Sequence, residues 1–280
     1  MSAFLVNGDV RDSLPLSDRA IHYGDGLFET IAVRDGCIEY WQRHMQRLVS
    51  GCERLNIPMP DASLLLNETR QLVNKQQGVI KIIISRGEGG RGYRAPNVAN
   101  PKRVIGFYPL PQYPVEFQQQ GIQLTVCKTP LGLNPVLAGM KHLNSLEQVL
   151  ARSEWDDGKI AEGLMLDING NVIEGTMSNL FFVRDGQLCT PVLSNSGVAG
   201  IVRDVVIECC QQLNISLSQG SYGLDDVLAA DELFVTNSVI SIWPVKQLLK
   251  SSYPLGPVTQ QLQQALANHK SQQSEYETIH

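Results

Sequence analysis

Apolar residues follow two rhythms along the chain. Short runs rich in β-branched and apolar side chains, at residues 28–33, 79–85, 104–108, 122–127, 163–167, 180–183 and 232–235, have the make-up of strands. Asn7-Gly8, Asp35-Gly36, Asn169-Gly170 and Asp185-Gly186 lie between such runs, and these dipeptides favour the positive φ of tight hairpins. The second rhythm steps by three and four, which places its members on one helical face. It joins Trp41, Met45, Leu48, Cys52 and Leu55, then Leu65, Leu66, Leu72 and Val73 behind a capping Asp61. Three more stripes follow: Leu143, Leu146, Val149 and Leu150; Val202, Val205, Val206, Cys209 and Leu213; Val258, Leu262, Ala265 and Leu266. A polar tail after the last stripe is expected to fray from Ser271.

No periodic pattern crosses residues 109–121, where Pro109, Pro111 and Pro114 stand near a glutamine run. Proline breaks both helix and sheet ladders, so the segment reads as an interdomain connection. The expected organisation is two α+β domains, residues 1–110 and 122–280, joined by a linker at 111–121. The 280 residues, 43% of them hydrophobic, suffice for two cores.

Charge narrows the partners. The net charge is -5, with no run of Lys or Arg, so nucleic acid is not expected as a partner. No stretch approaches the ~20 apolar residues of a membrane span, and the first residues lack the basic leader of a signal peptide. The six cysteines show no metal-ligand spacing, and they read as reduced thiols of a cytoplasmic protein.

Gly87-Glu88-Gly89-Gly90-Arg91-Gly92 follows a strand-like run and satisfies G-x-G-x-x-G. A dinucleotide site also needs a helix starting inside the motif and an acidic residue about 20 positions on. Here Tyr93, Arg94, Ala95 and Pro96 follow, so the dinucleotide reading is rejected. The remaining reading is a glycine loop whose Arg91 and Arg94 could grip carboxylates.

Four segments carry candidate chemistry. Lys141 stands among apolar neighbours in Ala138-Gly139-Met140-Lys141-His142-Leu143-Asn144, where desolvation would favour a neutral, nucleophilic amine. By periodicity alone it is an ordinary helix-start lysine. Glu174 lies among the apolar residues Val172, Ile173 and Leu180, and a buried carboxylate there suits a pyridinium nitrogen. The glycine-bearing entry Gly197-Val198-Ala199-Gly200 opens a helix at Ile201 and Val202, whose free amides suit phosphate. Thr236-Asn237-Ser238 ends a strand with small polar side chains, and Arg47 flanks a helical stripe where it could add a charged contact. One amine, one carboxylate and several anion-binding elements are what a pyridoxal 5'-phosphate site requires.

These segments, with His22-Tyr23-Gly24-Asp25-Gly26-Leu27-Phe28-Glu29-Thr30, resemble in order the fold-type-IV pyridoxal phosphate enzymes, the aminotransferase class IV family. The resemblance runs from about Asn7 to Val245. It implies a two-domain α+β fold with the cofactor between the domains. Lys141 and most cofactor contacts would then belong to the C-terminal domain. It further implies a homodimer acting on a small molecule, with Lys141 as the Schiff-base lysine and Glu174 as partner of the ring nitrogen. Arg47, the amides of Ile201 and Val202, and either Asn237 or Ser238 become phosphate ligands. Within the family, Thr30 and Leu146 stand where branched-chain aminotransferases carry glycine and tyrosine. That points to the family's carbon–oxygen lyase branch, with Thr30 assisting the elimination. Glu29 is shared with D-amino acid aminotransferases, and transamination is the alternative activity.

Overall fold

The structure, a computed structural model, describes residues 3–73 and 76–273. The chain divides into two compact units. One holds the residues up to Pro111, the segment Met140–Asn144 and the end of the last helix from Lys270; the other holds Gln112–Gly139 and Ser145–His269.

The first unit is a six-stranded sheet with three helices. Its strands are β1 (Ala3–Val6), β2 (Asp9–Val10), β3 (Gly26–Arg34), β4 (Cys37–Ile38), β5 (Gly78–Ser85) and β6 (Lys102–Pro109), in the order β2-β1-β6-β5-β3-β4. Its helices are α1 (Arg19–Tyr23), α2 (Trp41–Leu55) and α3 (Ala62–Val73). Both residues of Asn7-Gly8 and of Asp35-Gly36 have positive φ, as the hairpins β1–β2 and β3–β4 demand. The expected face of α2 is the buried one, with Trp41, Met45, Leu48 and Cys52 inside. Gly51 on that helix lets Leu27 approach, since a Cβ there would stand 2.8 Å from Leu27 Cδ1. Asp61 caps α3 as expected, accepting from the backbone of Ser63 and Leu64. The buried face of α3 is less apolar than its stripe suggested: Leu65 and Val73 share it with Glu68 and Thr69. Glu68 is neutralised there by Arg103, at 2.7 to 2.9 Å.

The glycine motif after β5 leads back, antiparallel, into β6 rather than into a crossover helix. That is the wrong topology for a dinucleotide site.

Met140–Asn144 departs from expectation. Instead of running into a helix with Leu143, it lies extended against β3: Phe28 N donates to Lys141 O at 2.9 Å and Leu143 N to Gly26 O at 3.0 Å. Two backbone bonds to a strand edge set its conformation, and α5 (Leu146–Arg152) starts only afterwards. The α5 stripe is not buried either. Leu146, Val149 and Leu150 are 76%, 58% and 59% exposed.

The second unit adds α4 (Glu116–Gln119), β7 (Ile122–Val126), β8 (Ile160–Leu166), β9 (Val172–Gly175), β10 (Asn179–Arg184) and β11 (Gln187–Pro191). Then come α6 (Ile201–Gln212), β12 (Leu217–Gly220), α7 (Leu224–Leu228), β13 (Glu232–Asn237), β14 (Ser241–Leu248), β15 (Ser251–Ser252) and α8 (Pro257–Gln273). The sheet order is β12-β11-β10-β13-β14-β7-β8-β9, and β9 also pairs with β10. Strands β10, β13, β14, β7, β8 and β9 therefore close on themselves, and the pair that closes them is Glu174 with Asn179. Leu164, Val172, Leu180, Phe182, Val235 and Val245 fill this unit's core. Helix α6 buries Val202, Val205, Val206 and Cys209, as its stripe predicts.

Three further expectations are corrected. Residues 109–121 are not structureless: Pro109 ends β6, and α4 packs Phe117 edge-on against Trp243 at 5.2 Å. Helix α8 continues through Ser271 to Gln273, and the tail beyond lies outside the described residues. Asn169 does not take positive φ, because the Asp167 carboxylate shapes its turn by accepting from the backbone of Asn169 and Asn171.

Candidate active site

Strand β3 alternates, and its two faces do different work. Glu29 points toward α2, where Arg47 donates to it through two nitrogens and His44 donates through Nδ1 at 2.6 Å. Burial resists ionisation of Glu29, but the charge of Arg47 and the hydrogen bonds from Arg47 and His44 outweigh it and hold its pKa at about 2. Burial lowers the pKa of His44 in turn, so the imidazole is neutral at pH 7 and Arg47 is the counter-charge.

A carboxylate depressed from 4.5 to about 2 stabilises the fold above its ordinary pKa and loses that contribution as pH falls toward 2. The shift corresponds to about 3 kcal/mol. Urea unfolding of wild type and Glu29→Gln should therefore differ most at pH 5 and converge on acidification. Parallel curves over that range would refute the pairing.

The other face of β3 carries Phe28 and Thr30. Lys141 belongs to this side: its Nζ lies 4.4 Å from the centroid of the Phe28 ring. Lys81, paired in register with Thr30, places its own Nζ 5.0 Å from the same centroid. Two amines thus gather over a half-buried aromatic ring, on the strand face that Thr30 shares, where cation–π attraction favours each ammonium. The apolar neighbours of Lys141 marked it as a candidate, and the family resemblance marked Thr30. The sequence offered no signal for Lys81 beyond a cation inside an otherwise apolar strand.

In the second unit, Glu174 is 4% exposed at the junction of β9 and β10. Its Oε2 accepts from Val198 N at 2.9 Å and Asn179 Nδ2 at 3.2 Å. Asn179 Nδ2 also donates to Val198 O at 2.8 Å, so one amide ties the carboxylate to the loop that opens α6. Gly200, the N-cap of α6, fits only as glycine, since a Cβ would stand 1.9 Å from Asn179 Oδ1. As glycine, the N-cap residue has no side chain with which to cap this helix start. Beneath the strand end, Thr236 is paired in register with Asn179, and its fully buried Oγ1 has no hydrogen-bond partner among the described residues. A buried orphan hydroxyl and an uncapped helix start form a donor set suited to phosphate.

Asn237 is spent locally: Oδ1 accepts from Val239 N and Ile240 N, and Nδ2 donates to Met177 O. Among the described residues Ser238 has no such commitment. Glu162, which sequence reasoning missed, is buried and receives Thr176 N and Oγ1, Met177 N, Ser178 Oγ and Gly163 N. It shapes the turn between Glu174 and Asn179. Its burial raises its pKa, and these donors only partly offset that.

A fold of this kind, with a lysine on an aromatic ring in one unit and a buried carboxylate beside an uncapped helix in the other, defines an α+β enzyme of the fold-type-IV class. The chain belongs to the amino-transferase class IV family, whose model matches residues 26–248. It is 41% identical to the aminodeoxychorismate lyase of Vibrio harveyi over 265 residues, 93% of this chain and 98% of that protein. The crystal structure of 4-amino-4-deoxychorismate lyase from Pseudomonas aeruginosa superposes with a TM-score of 0.91 at 44% identity, over 95% of this chain and 98% of that one. The branched-chain-amino-acid aminotransferase of Escherichia coli K12 is 30% identical over 263 residues, covering 88% of this chain and 84% of that protein.

Proposed function

We propose that this protein is a pyridoxal 5'-phosphate-dependent carbon–oxygen lyase. It converts 4-amino-4-deoxychorismate to 4-aminobenzoate and pyruvate, a step of folate biosynthesis. The observation that carries the reading is the Lys141 amine over Phe28, on the face of β3 that also presents Thr30.

Enzymes of this family use pyridoxal phosphate. When bound, that group supplies an electron sink for charge left at the carbon bearing the substrate nitrogen. Lys141 holds the cofactor and, once released, takes the proton from that carbon. Glu174, fixed by Val198 N and Asn179, keeps the ring nitrogen protonated. The amides of Ile201 and Val202 hold the phosphate with Arg47, and of the pair Asn237 and Ser238 the uncommitted Ser238 is the better ligand. Thr30 passes a proton toward the departing enolpyruvyl group. Arg91 and Arg94 bind the substrate's carboxylates, with Lys81 as a further cation.

The test is product analysis on the holoenzyme. Aminodeoxychorismate should yield pyruvate and an aromatic amine in equal amounts, with no 2-oxo acid required. Amino transfer from a branched-chain or D-amino acid to 2-oxoglutarate, without pyruvate release from aminodeoxychorismate, would replace this reading with the aminotransferase one.

The assembly proposed is a homodimer. Val136, 73% exposed, and the outward stripe of α5 offer apolar surface that a second copy would cover. Sedimentation should show about twice the chain mass of 30.9 kDa, and a purely monomeric boundary at micromolar concentration would exclude the dimer. Among the described residues no helix is long and apolar enough to cross a membrane. The burial of all six cysteines supports a reducing, cytoplasmic setting. Fractionation that found the protein outside the cytoplasm would overturn that location.

A further inference from the structure

The glycine-rich segment after β5 is held by one buried guanidinium. Arg19, 4% exposed in α1, donates through Nη1 to Gly92 O at 3.0 Å and Arg94 O at 3.5 Å, and through Nη2 to Tyr93 O at 3.0 Å. Gly92 N donates to the Tyr23 hydroxyl at 3.1 Å, and the Arg19 guanidinium lies over the Tyr23 ring at 4.8 Å. The segment passes directly over the arginine stem, so a Cβ at Gly89 would stand 2.8 Å from Arg19 Cδ.

The arginine is itself braced. Its Nε donates to Asp25 Oδ2 at 2.7 Å, and Arg86 donates to both oxygens of Asp25. Arg86 reaches on to the carbonyls of Leu55 and Asn56 at the end of α2. A chain of charge-assisted bonds thus runs from the end of a 15-residue helix to three successive carbonyls of an otherwise irregular loop. Only a planar, multi-donor fork can serve that many acceptors at once; an ammonium is a point donor.

The pinned stretch follows directly on Arg91 and ends in Arg94, and both of these arginines are exposed. We propose that Arg19 is a positioning residue for substrate recognition. It freezes the backbone of residues 92–94 so that the guanidinium groups of Arg91 and Arg94 stand ready for a substrate carrying more than one carboxylate. This rests on the reading of Arg91 and Arg94 as carboxylate ligands. Preorganisation is the physical gain, because a loop ordered before binding loses less entropy on binding.

The experiment compares Arg19→Lys, Tyr23→Phe, Arg91→Gln and Arg94→Gln as holoenzymes. Arg19→Lys should raise KM for aminodeoxychorismate about tenfold or more while kcat moves by less than about threefold. It should also speed native-state trypsin cleavage after Arg91 and Arg94 on the order of tenfold, because cleavage follows local opening. The visible absorption of the bound cofactor should not change. Tyr23→Phe, which removes only the acceptor for Gly92 N, should show the same two effects more weakly, and it serves if Arg19→Lys folds poorly. Arg91→Gln and Arg94→Gln should each raise KM, and adding Arg19→Lys to them should raise it by less than the product of the separate effects. Unchanged KM in Arg19→Lys and Tyr23→Phe, with KM raised in Arg91→Gln or Arg94→Gln, overturns the positioning role and leaves the ligand reading standing. Unchanged KM in Arg91→Gln and Arg94→Gln overturns both.

Discussion

Replacing Lys141 with alanine is expected to remove the visible absorption of the holoenzyme and its turnover together. The amine at 141 has two tasks in the proposed function, holding the cofactor and moving the proton. Its loss should cost roughly 10²–10⁴ in rate from the proton transfer alone, with the loss of cofactor added to that. The fold should survive. Lys141 is tied to β3 through its backbone, by the bond from Phe28 N to Lys141 O, and alanine keeps that bond. Circular dichroism and the thermal midpoint should therefore stay near wild type while the spectrum and activity vanish. An alanine variant that kept either the visible band or normal turnover would end the assignment.

Substitution of Glu174 should separate charge from architecture. Its carboxylate is a structural acceptor for Val198 N and Asn179 Nδ2, and in the proposed function it is the counter-charge of a protonated ring. Glu174→Gln retains one acceptor oxygen and removes the charge. Glu174→Ala removes both and takes the acceptor from Val198 N, while Asn179 Nδ2 keeps its bond to Val198 O, at a cost of about 1–3 kcal/mol. Both variants are expected to lose on the order of a hundredfold or more in kcat, the scale of removing one dedicated electrostatic partner. The alanine variant alone should also lose several degrees of thermal stability. Cofactor should still bind through Lys141 and the phosphate ligands in both. A Glu174→Gln enzyme running near the wild-type rate would show that the ring needs no carboxylate.

Buried carboxylates play unlike parts in this protein. Glu29 is held ionised by Arg47, whereas Glu162, surrounded by neutral donors, has its pKa raised by burial. The difference follows from the partner. A guanidinium offsets the cost of burying charge, while hydroxyl and amide dipoles offset only part of it. Glu29 thereby fixes the direction of Arg47, and Glu162 fixes the turn that separates Glu174 from Asn179.

The sequence by itself determined the local elements and the candidate chemistry. The α2 and α6 stripes, the strand runs and three of the four hairpin dipeptides could be read because period and turn propensity depend on near neighbours. Thr30, Lys141 and Glu174 stood out as candidates because their residue types, in that order along the chain, match a family with demanding chemistry. Only the tertiary structure decided what surrounds them. Met140–Asn144 reads as the approach to a helix until β3 offers it a backbone partner more than a hundred residues away. The apolar stripe of α5 reads as core, yet nothing in its spacing says which surface will cover it. Asn179, Val198 and Thr236 acquire meaning from strand register and closure of the sheet, and Arg19 from a loop some seventy residues distant. Hydrogen bonds between remote segments leave no periodic trace, because one polar residue at the right place makes them and its neighbours in sequence take no part.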